Sequence, residues 1–311
     1  MSFSYVYLIY DFIINVHKLL FHEHTKMTPH KFVSFEKENT KICNTYENIG
    51  LDLANDSTLI IIKDILNSDE CDEILEETNN LYSNLKIEYL ETDRNAERIL
   101  NINEKMAEHI YYKIKHIIEE EHSRKNLKPF GFGVEGQWKP IGINSCFRHS
   151  KYDAPSVGFI FHRDSSYIEN SNKRSILSLI IYLNDDFDGG ETLFVKPNTE
   201  RKIGQIVLEE LSEGYKILYK IKPQKNTAVL FNHNVIHSGM PVLNNTKYII
   251  KTDIIFENIN PSKDNYFLND KYFLQAIEYY REANNQEMIG NVKNASELYE
   301  KGLALRQFHT T

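Results

Sequence analysis

Two histidines and one carboxylate can hold a divalent metal ion on one face and leave three octahedral positions open. This chain offers the residues. His162-Arg163-Asp164 lies inside a β-rich stretch. Residues i and i+2 of a strand point to the same face, so both side chains can reach one ion. A second histidine would complete the set, and His233 and His237 both lie downstream in the same β-rich region. Open positions matter where a cosubstrate and O₂ must both bind the metal. A His-x-Asp pair alone is a weak signal, because a surface turn can carry one without function. The elements around it decide.

Residues 1–56 read as an N-terminal extension. Phe3 to Phe21 is mostly apolar but interrupted by Asp11, His17 and Lys18, and residues 22–56 are polar without a period. A spanning helix wants about 20 apolar residues, with charges near its middle costly. A secretory signal wants a basic start and a small-residue cleavage site. An amphipathic or packing helix is the expectation for 3–21, with a membrane anchor as the alternative. Thr58–Ile62 reads as a strand. Asn67, Ser68 and Asp69 offer N-caps, with Glu70 placed for a capping box. Ile74, Leu75, Leu81, Tyr82 and Leu85 follow at helical spacing, and Met106, Ile110, Ile114, Ile117 and Ile118 mark a second helix. The stretch between them is polar and contains Arg94 and Arg98.

From about Gly131 short β-rich runs alternate with turn residues. They include Ile176–Leu183, Thr192–Val195, Tyr215–Ile221, Thr227–Phe231 and Tyr248–Phe256. Turn signals sit at Asp188-Gly189-Gly190, Glu213-Gly214 and Pro223–Asn226. This spacing predicts an antiparallel sandwich or jelly-roll barrel. Beyond Pro261 the helical period returns.

Composition narrows the classes. The 311 residues can bury a sizeable core, and 26% charged with 41% apolar is an ordinary globular mix. The formal charge is −8. That disfavours a general nucleic-acid or anionic-membrane binder, which would want a basic face. The three cysteines, Cys43, Cys71 and Cys146, are scattered and form no CxxC pair. Such a set fits a reducing compartment, so a cytoplasmic or nuclear location is expected.

Four stretches resemble one family, the Fe(II)- and 2-oxoglutarate-dependent oxygenases of the prolyl 4-hydroxylase-like branch. The first runs from Tyr152 through Gly158 to His162 and Asp164. The second, Ile180 to Phe194, carries the paired glycines. The third, Lys222 to Phe231, is similar to the strand leading to the distal histidine. The fourth is His237-Ser238-Gly239-Met240-Pro241-Val242, with Lys247 ten residues after the histidine. Arg94-Asn95 and Arg98 also look like the N-terminal part of this family. The resemblance spans Thr58 to Phe256.

The resemblance implies a double-stranded β-helix (jelly-roll) core; with the N-terminal supporting helices and a C-terminal helical hairpin read from the helical period, the expected fold class is α+β. It places an oxygenase domain at 57–257, with the β core at about 131–257. It implies His162, Asp164 and His237 as ligands of Fe(II), leaving His233 as a surface or rim residue. It implies Lys247 as the partner of the distal carboxylate of 2-oxoglutarate, with Lys251 at +14 as runner-up. A buried carboxylate needs a charged, hydrogen-bonded partner; Tyr152 would add a hydroxyl. O₂ is the second cosubstrate and ascorbate the accompanying reductant. Asp164 argues against a halogenase, where a small residue would leave room for halide.

Departures from the family pattern are local. The Tyr152-to-His162 spacing is one residue long, which predicts a bulge or looser loop. Phe159 and Phe161 change the pocket lining. Asn226 and Asn245 stand where glycine is frequent, and Asn tolerates the left-handed region. Gly189-Gly190 reads first as a hairpin turn, and secondly as a means of bringing Glu191 and Thr192 to the barrel mouth. Asp185, Asp186 and Asp188 read as a solvated turn. Ala283, Ala295 and Gly302 give residues 262–311 the look of one tetratricopeptide helix pair, or a simple hairpin.

The expected function is hydroxylation of a C–H bond with release of succinate and CO₂. A protein or peptide side chain is the expected substrate, prolyl first. Arg94, Arg98 and Arg148 either line its path or make structural ion pairs. The rival is a non-catalytic jelly-roll scaffold that binds partners through its helical tail.

Overall fold

The structure, a computed structural model, describes residues 41–51, 53, 57–82, 96–129, 134–197, 214–261, 270–288 and 291–307. The apolar segment 3–21, Leu85, and Arg94-Asn95 lie outside the described residues. Strands β1 (Tyr46–Asn48) and β2 (Leu59–Ile62) precede helix α1 (Ser68–Tyr82). Strand β3 (Glu97–Ile102) leads into α2 (Glu104–Lys125). Then come β4 (Gln137–Ile143), β5 (Cys146–Asp153), β6 (Phe159–His162), β7 (Ile168–Asn170), β8 (Lys173–Tyr182) and β9 (Asp188–Gly189). The strands β10 (Thr192–Pro197), β11 (Tyr215–Ile221), β12 (Ala228–Asn232), β13 (Ile236–Gly239), β14 (Val242–Asn244) and β15 (Thr246–Asn260) follow. Helices α3 (Lys271–Met288) and α4 (Val292–Gln307) come last.

Local chemistry starts the helices. Asn67 and Glu70 form the capping box: Glu70 N–H donates to Asn67 Oδ1 at 2.8 Å and Asn67 N–H to Glu70 Oε2 at 2.6 Å. Asn103 caps α2 by accepting from the Met106 N–H, and Asn126 ends it at φ 48°. Met106, Ile110, Ile114, Ile117 and Ile118 form the buried stripe of α2.

Two antiparallel sheets build the barrel. The larger runs β1-β2-β12-β8-β15-β5-β3, with β4 on β15 and β7 on β8; the smaller runs β11-β10-β13-β6. This is a double-stranded β-helix. Alternation sorts the side chains of β8. Leu177, Leu179 and Ile181 join the core shared with α1 and α2. Ile180 and Tyr182 point the other way, into the space between the sheets with Phe194 and Phe231. Both faces of the larger sheet are covered, so β8 and β12 read as continuous apolar runs. The inner face of β15, by the same alternation, carries residues 247, 249, 251 and 253.

Strands β1 and β3 fall in stretches that read as polar. Both lie at the ends of the larger sheet, and β1 is three residues long. Short edge strands lack the two-sided apolar pattern that makes a strand legible. The three cysteines are free and buried. Asn226 and Asn245 do take left-handed φ, 69° and 60°.

Helices α3 and α4 form an antiparallel hairpin that packs against β7 through Ile168. The Arg174 guanidinium lies 5.5 Å from the Trp138 ring centroid and 5.8 Å from that of Phe273, tying barrel to tail. A Cβ on Gly302 would come within 2.6 Å of Tyr280 Cε1, so the close crossing needs glycine there. Among the described residues, no helix is long and apolar enough to cross a membrane.

Candidate active site

Strand pairing brings the two histidines together. β13 pairs with β6 in the register His237↔His162, and the imidazole centroids lie 4.2 Å apart. Two steps of β13, from His237 to Gly239, oppose three steps of β6, from His162 to Phe159. The pairing is therefore irregular next to His162, with one more residue on the β6 side. Asp164 follows just past the strand. Its carboxylate lies 3.7 Å from His162 Nε2 and 3.8 Å from His237 Nε2. The three potential ligand atoms all lie within 4.8 Å of one another.

The tautomers are fixed from behind. His162 Nδ1 donates to the Ile160 carbonyl at 2.8 Å, and His237 Nδ1 donates to the Val235 carbonyl at 3.0 Å. A carbonyl can only accept, so both Nδ1 atoms carry the proton and both Nε2 lone pairs turn inward. Burial pushes the His237 imidazole down to about 3, with the charge of His162 adding to the effect. Burial opposes ionisation of Asp164, yet Lys251 and the two histidines hold its carboxyl well below the usual range. Two inward lone pairs beside a carboxylate are a set of donors that a cation satisfies. They suit Fe(II), which accepts imidazole and carboxylate together.

A second buried group suits an anion. Lys247 is 4% exposed and faces Tyr152 across the β15–β5 ladder. Its Nζ donates to the Gly190 carbonyl at 2.6 Å and lies 5.6 and 5.7 Å from the ring centroids of Tyr152 and Tyr182. Burial lowers its pKa to about 8, partly opposed by Glu191. Among the described residues, no carboxylate lies within ion-pair distance of it. An ammonium held among rings and a carbonyl is poised for a carboxylate from a ligand. Gly190 makes the approach possible: it has φ 66°, and a Cβ there would meet Phe187 at 2.8 Å and Lys247 Cδ at 3.0 Å. So the second glycine of the pair is a wall of this pocket as well as a turn. Tyr182 is fully buried, with its hydroxyl 2.7 Å from Thr192 Oγ1. Thr192 reads in the sequence only as a residue that the glycine turn could bring to the barrel mouth, and Tyr182 was not singled out, although its polar tip stands out in the apolar run Leu179–Leu183.

His233 is corrected by the structure. It was expected at the surface or rim, but it is 3% exposed. The turn before β13 folds back on β8, where the His233 N–H donates to the Ile176 carbonyl. Both ring nitrogens lie 2.8 Å from serine hydroxyls, Ser175 and Ser178. Burial drops the His233 imidazole to about 4 and keeps it neutral. Lys251, four residues from Lys247 on the same strand face, lies 3.5 Å from Asp164 Oδ2 and 3.0 Å from Asp253 Oδ1. Arg148 pairs with Asp253 at 3.4 Å, so its role is an ion pair behind the site. Arg98 lies on β3 opposite Ser150. Phe159 sits 4.0 Å from His162 by centroid. Phe161, expected to line the pocket, instead stacks on Tyr215 at 5.0 Å in a cluster with Leu193, Val195 and Ile236. Those three alternate with the inward Phe194 and His237 and so lie on the other face of the smaller sheet.

Residues 147–252, about a third of the chain, match the family model of the 2OG-Fe(II) oxygenase superfamily. His162, Asp164, His237, Lys247 and Tyr152 all fall within that segment. Over that segment the β core is similar to the 2OG-Fe(II) oxygenases, a superfamily whose name gives Fe(II) and 2-oxoglutarate as the reactants of its oxygen chemistry. No curated protein matches the chain. Among solved structures, a viral collagen prolyl hydroxylase from Paramecium Bursaria Chlorella virus-1 is 19% identical. That match covers 64% of this chain and 96% of that one, at a TM-score of 0.39. A prolyl hydroxylase from Trichoplax adhaerens, in complex with a hypoxia inducible factor peptide fragment, is 17% identical over 68% of this chain and 87% of that one, at 0.40. A Pseudomonas putida prolyl-4-hydroxylase is 15% identical over 63% and 91%, at 0.39.

Proposed function

We propose that the protein is a 2-oxoglutarate-dependent hydroxylase acting on a protein side chain, with prolyl as the first candidate. The observation that carries the proposal is the convergence of two Nε2 lone pairs and the Asp164 carboxylate, with a buried Lys247 in the same barrel. His162, Asp164 and His237 hold Fe(II). Lys247 binds the distal carboxylate of 2-oxoglutarate, and the rings of Tyr152 and Tyr182 wall it. Fe(II) and 2-oxoglutarate held there would supply the chemistry of O₂ activation, with one oxygen atom going to succinate as CO₂ is released and the other to the substrate C–H bond.

The remaining residues shape access. Phe159 flanks His162 and keeps water from one side of the metal face. The prolyl choice itself rests on the motif resemblance of Tyr152–Asp164 and His237–Lys247.

Anaerobic addition of Fe(II) and 2-oxoglutarate tests the cofactor assignment through the weak visible charge-transfer band of that complex. Folded protein with no band would remove it. Asp164→Ala should lose the band and the uncoupled production of succinate. For the substrate, cells with and without the protein are compared for peptides that carry one added oxygen atom. An oxidised proline lost with the protein supports the prolyl reading, and a loss confined to another residue type replaces it.

A further inference from the structure

Asp164 lies past the last residue of β6, where no ladder fixes its direction. Something else must hold the carboxylate. Its Oδ2 accepts a hydrogen bond from Ser178 Oγ. A carboxylate only accepts, so the single Ser178 proton is committed to it. The contact between Ser178 Oγ and His233 Nδ1 at 2.8 Å must then run from the imidazole N–H to the hydroxyl oxygen. On a neutral ring that leaves Nε2 as an acceptor, and Ser175 Oγ lies 2.8 Å from it. Ser175 in turn accepts from the Tyr167 backbone N–H at 2.7 Å. The bonds form one chain with one direction, from Tyr167 through Ser175, His233 and Ser178 to Asp164.

The main chain repeats the grip. The Asp164 N–H donates to the His233 carbonyl at 3.0 Å, so His233 holds residue 164 through both backbone and side chain. Ser175 and Ser178 are fully buried and interrupt the apolar part of β8. A hydroxyl there is unfavourable unless it is bonded, and an alanine or valine would fill a sheet core without that demand.

We propose that Ser178 and His233 are positioning residues that aim the Asp164 carboxylate at the metal. The inference rests on the metal-centre reading of His162, Asp164 and His237. Hydrogen bonds behind a ligand orient it, and their loss costs about 10–100-fold in metal affinity.

The test uses the full chain under anaerobic conditions, with Co(II) as the probe and its visible d–d absorption as the readout. Ser178→Ala and His233→Leu should each weaken Co(II) binding about 10–100-fold, while the KM for 2-oxoglutarate stays within about twofold and kcat falls. His233→Asn places an amide N–H near the position of Nδ1 and should restore affinity to within about threefold of wild type. Where Ser178→Ala or His233→Leu fails to fold, Ser178→Cys keeps the volume, weakens the donor and carries the comparison. Folded Ser178→Ala or Ser178→Cys, together with His233→Leu, binding Co(II) as tightly as wild type would overturn the inference alone. A wild type that takes up no Co(II) would overturn the metal-centre reading and this inference with it.

Discussion

Lys247→Met removes a buried ammonium and keeps most of its aliphatic stem. The lysine titrates near 8 in the folded chain against an ordinary 10.5, because burial disfavours its charged form. At about 1.36 kcal/mol per unit, holding the charge below pH 8 costs about 3 kcal/mol. Removing it also removes the bond to the Gly190 carbonyl, worth about 1.5–3 kcal/mol for a charged donor. The ligand-free variant should therefore be as stable as wild type at pH 7, or more stable by up to about 2 kcal/mol. The sign with pH follows. The folded chain binds fewer protons than the unfolded chain between about 8 and 10.5. Wild-type stability gains on the variant as pH rises through that window, and the full penalty stands below it.

Ligand binding should move the other way. Breaking a buried pair by deleting one partner costs about 3–5 kcal/mol, which is about 10²–10³-fold or more in 2-oxoglutarate affinity. Urea unfolding at pH 7 gives the stability, and calorimetric titration with 2-oxoglutarate in the presence of Co(II) gives the affinity. A lysine that lowers stability while serving a ligand shows this opposed pair of effects. A variant destabilised by about 3 kcal/mol or more with 2-oxoglutarate affinity unchanged would refute the assignment and make Lys247 a structural residue.

The 2-oxoglutarate affinity of the wild type should fall about tenfold per pH unit above about 8, as the free ammonium loses its proton. Lys247→Arg, charged throughout, should bind with little pH dependence, and a wild-type Kd flat to pH 10 counts against an ionic contact. Gly190→Ala forces a side chain into φ 66° and against Phe187 and Lys247. It should lower stability by about 1–2 kcal/mol and raise the KM for 2-oxoglutarate severalfold, read by urea unfolding and succinate assay. Gly302→Ala presses on the Tyr280 ring and should loosen the α3–α4 hairpin by about 1–3 kcal/mol. Limited proteolysis should then attack the tail first, with Co(II) affinity unchanged.

What could be read in the sequence follows strand geometry. The spacing of His162 and Asp164 could be read as a shared strand face, but β6 ends at His162 and Asp164 is held instead by Ser178 and the His233 carbonyl. Lys247 and Lys251, both within β15, do share a face because a strand repeats every two residues. Which of the two lysines goes deep depends on what each meets across the barrel. Lys247 finds Gly190, Tyr152 and Tyr182, whereas Lys251 finds Asp164 and Asp253. Those partners lie on other strands, so no local spacing announces them. Arg148 resolves likewise: Asp253, about a hundred residues away, makes it an ion pair.

His233 shows where local reading fails and why. A polar residue beside a turn signal is usually solvated, and the sequence around Asn232 and Asn234 supports that expectation. The turn instead packs on β8 and seats the ring between Ser175 and Ser178. Residues 175 and 178 differ by an odd number of steps, so a regular strand would place them on opposite faces. The ladder between β8 and β15 shifts between Ile254 and Ile255, opposite Leu177 and Ser175, and the shift changes the alternation at that point. One irregularity in pairing thus puts both hydroxyls within reach of one imidazole. The sequence carries a trace of it, two serines in the run Ser175-Ile176-Leu177-Ser178 that break the apolar strand. Their spacing makes sense only once the register shift is known, and the partner that explains them sits 55 or more residues further along the chain.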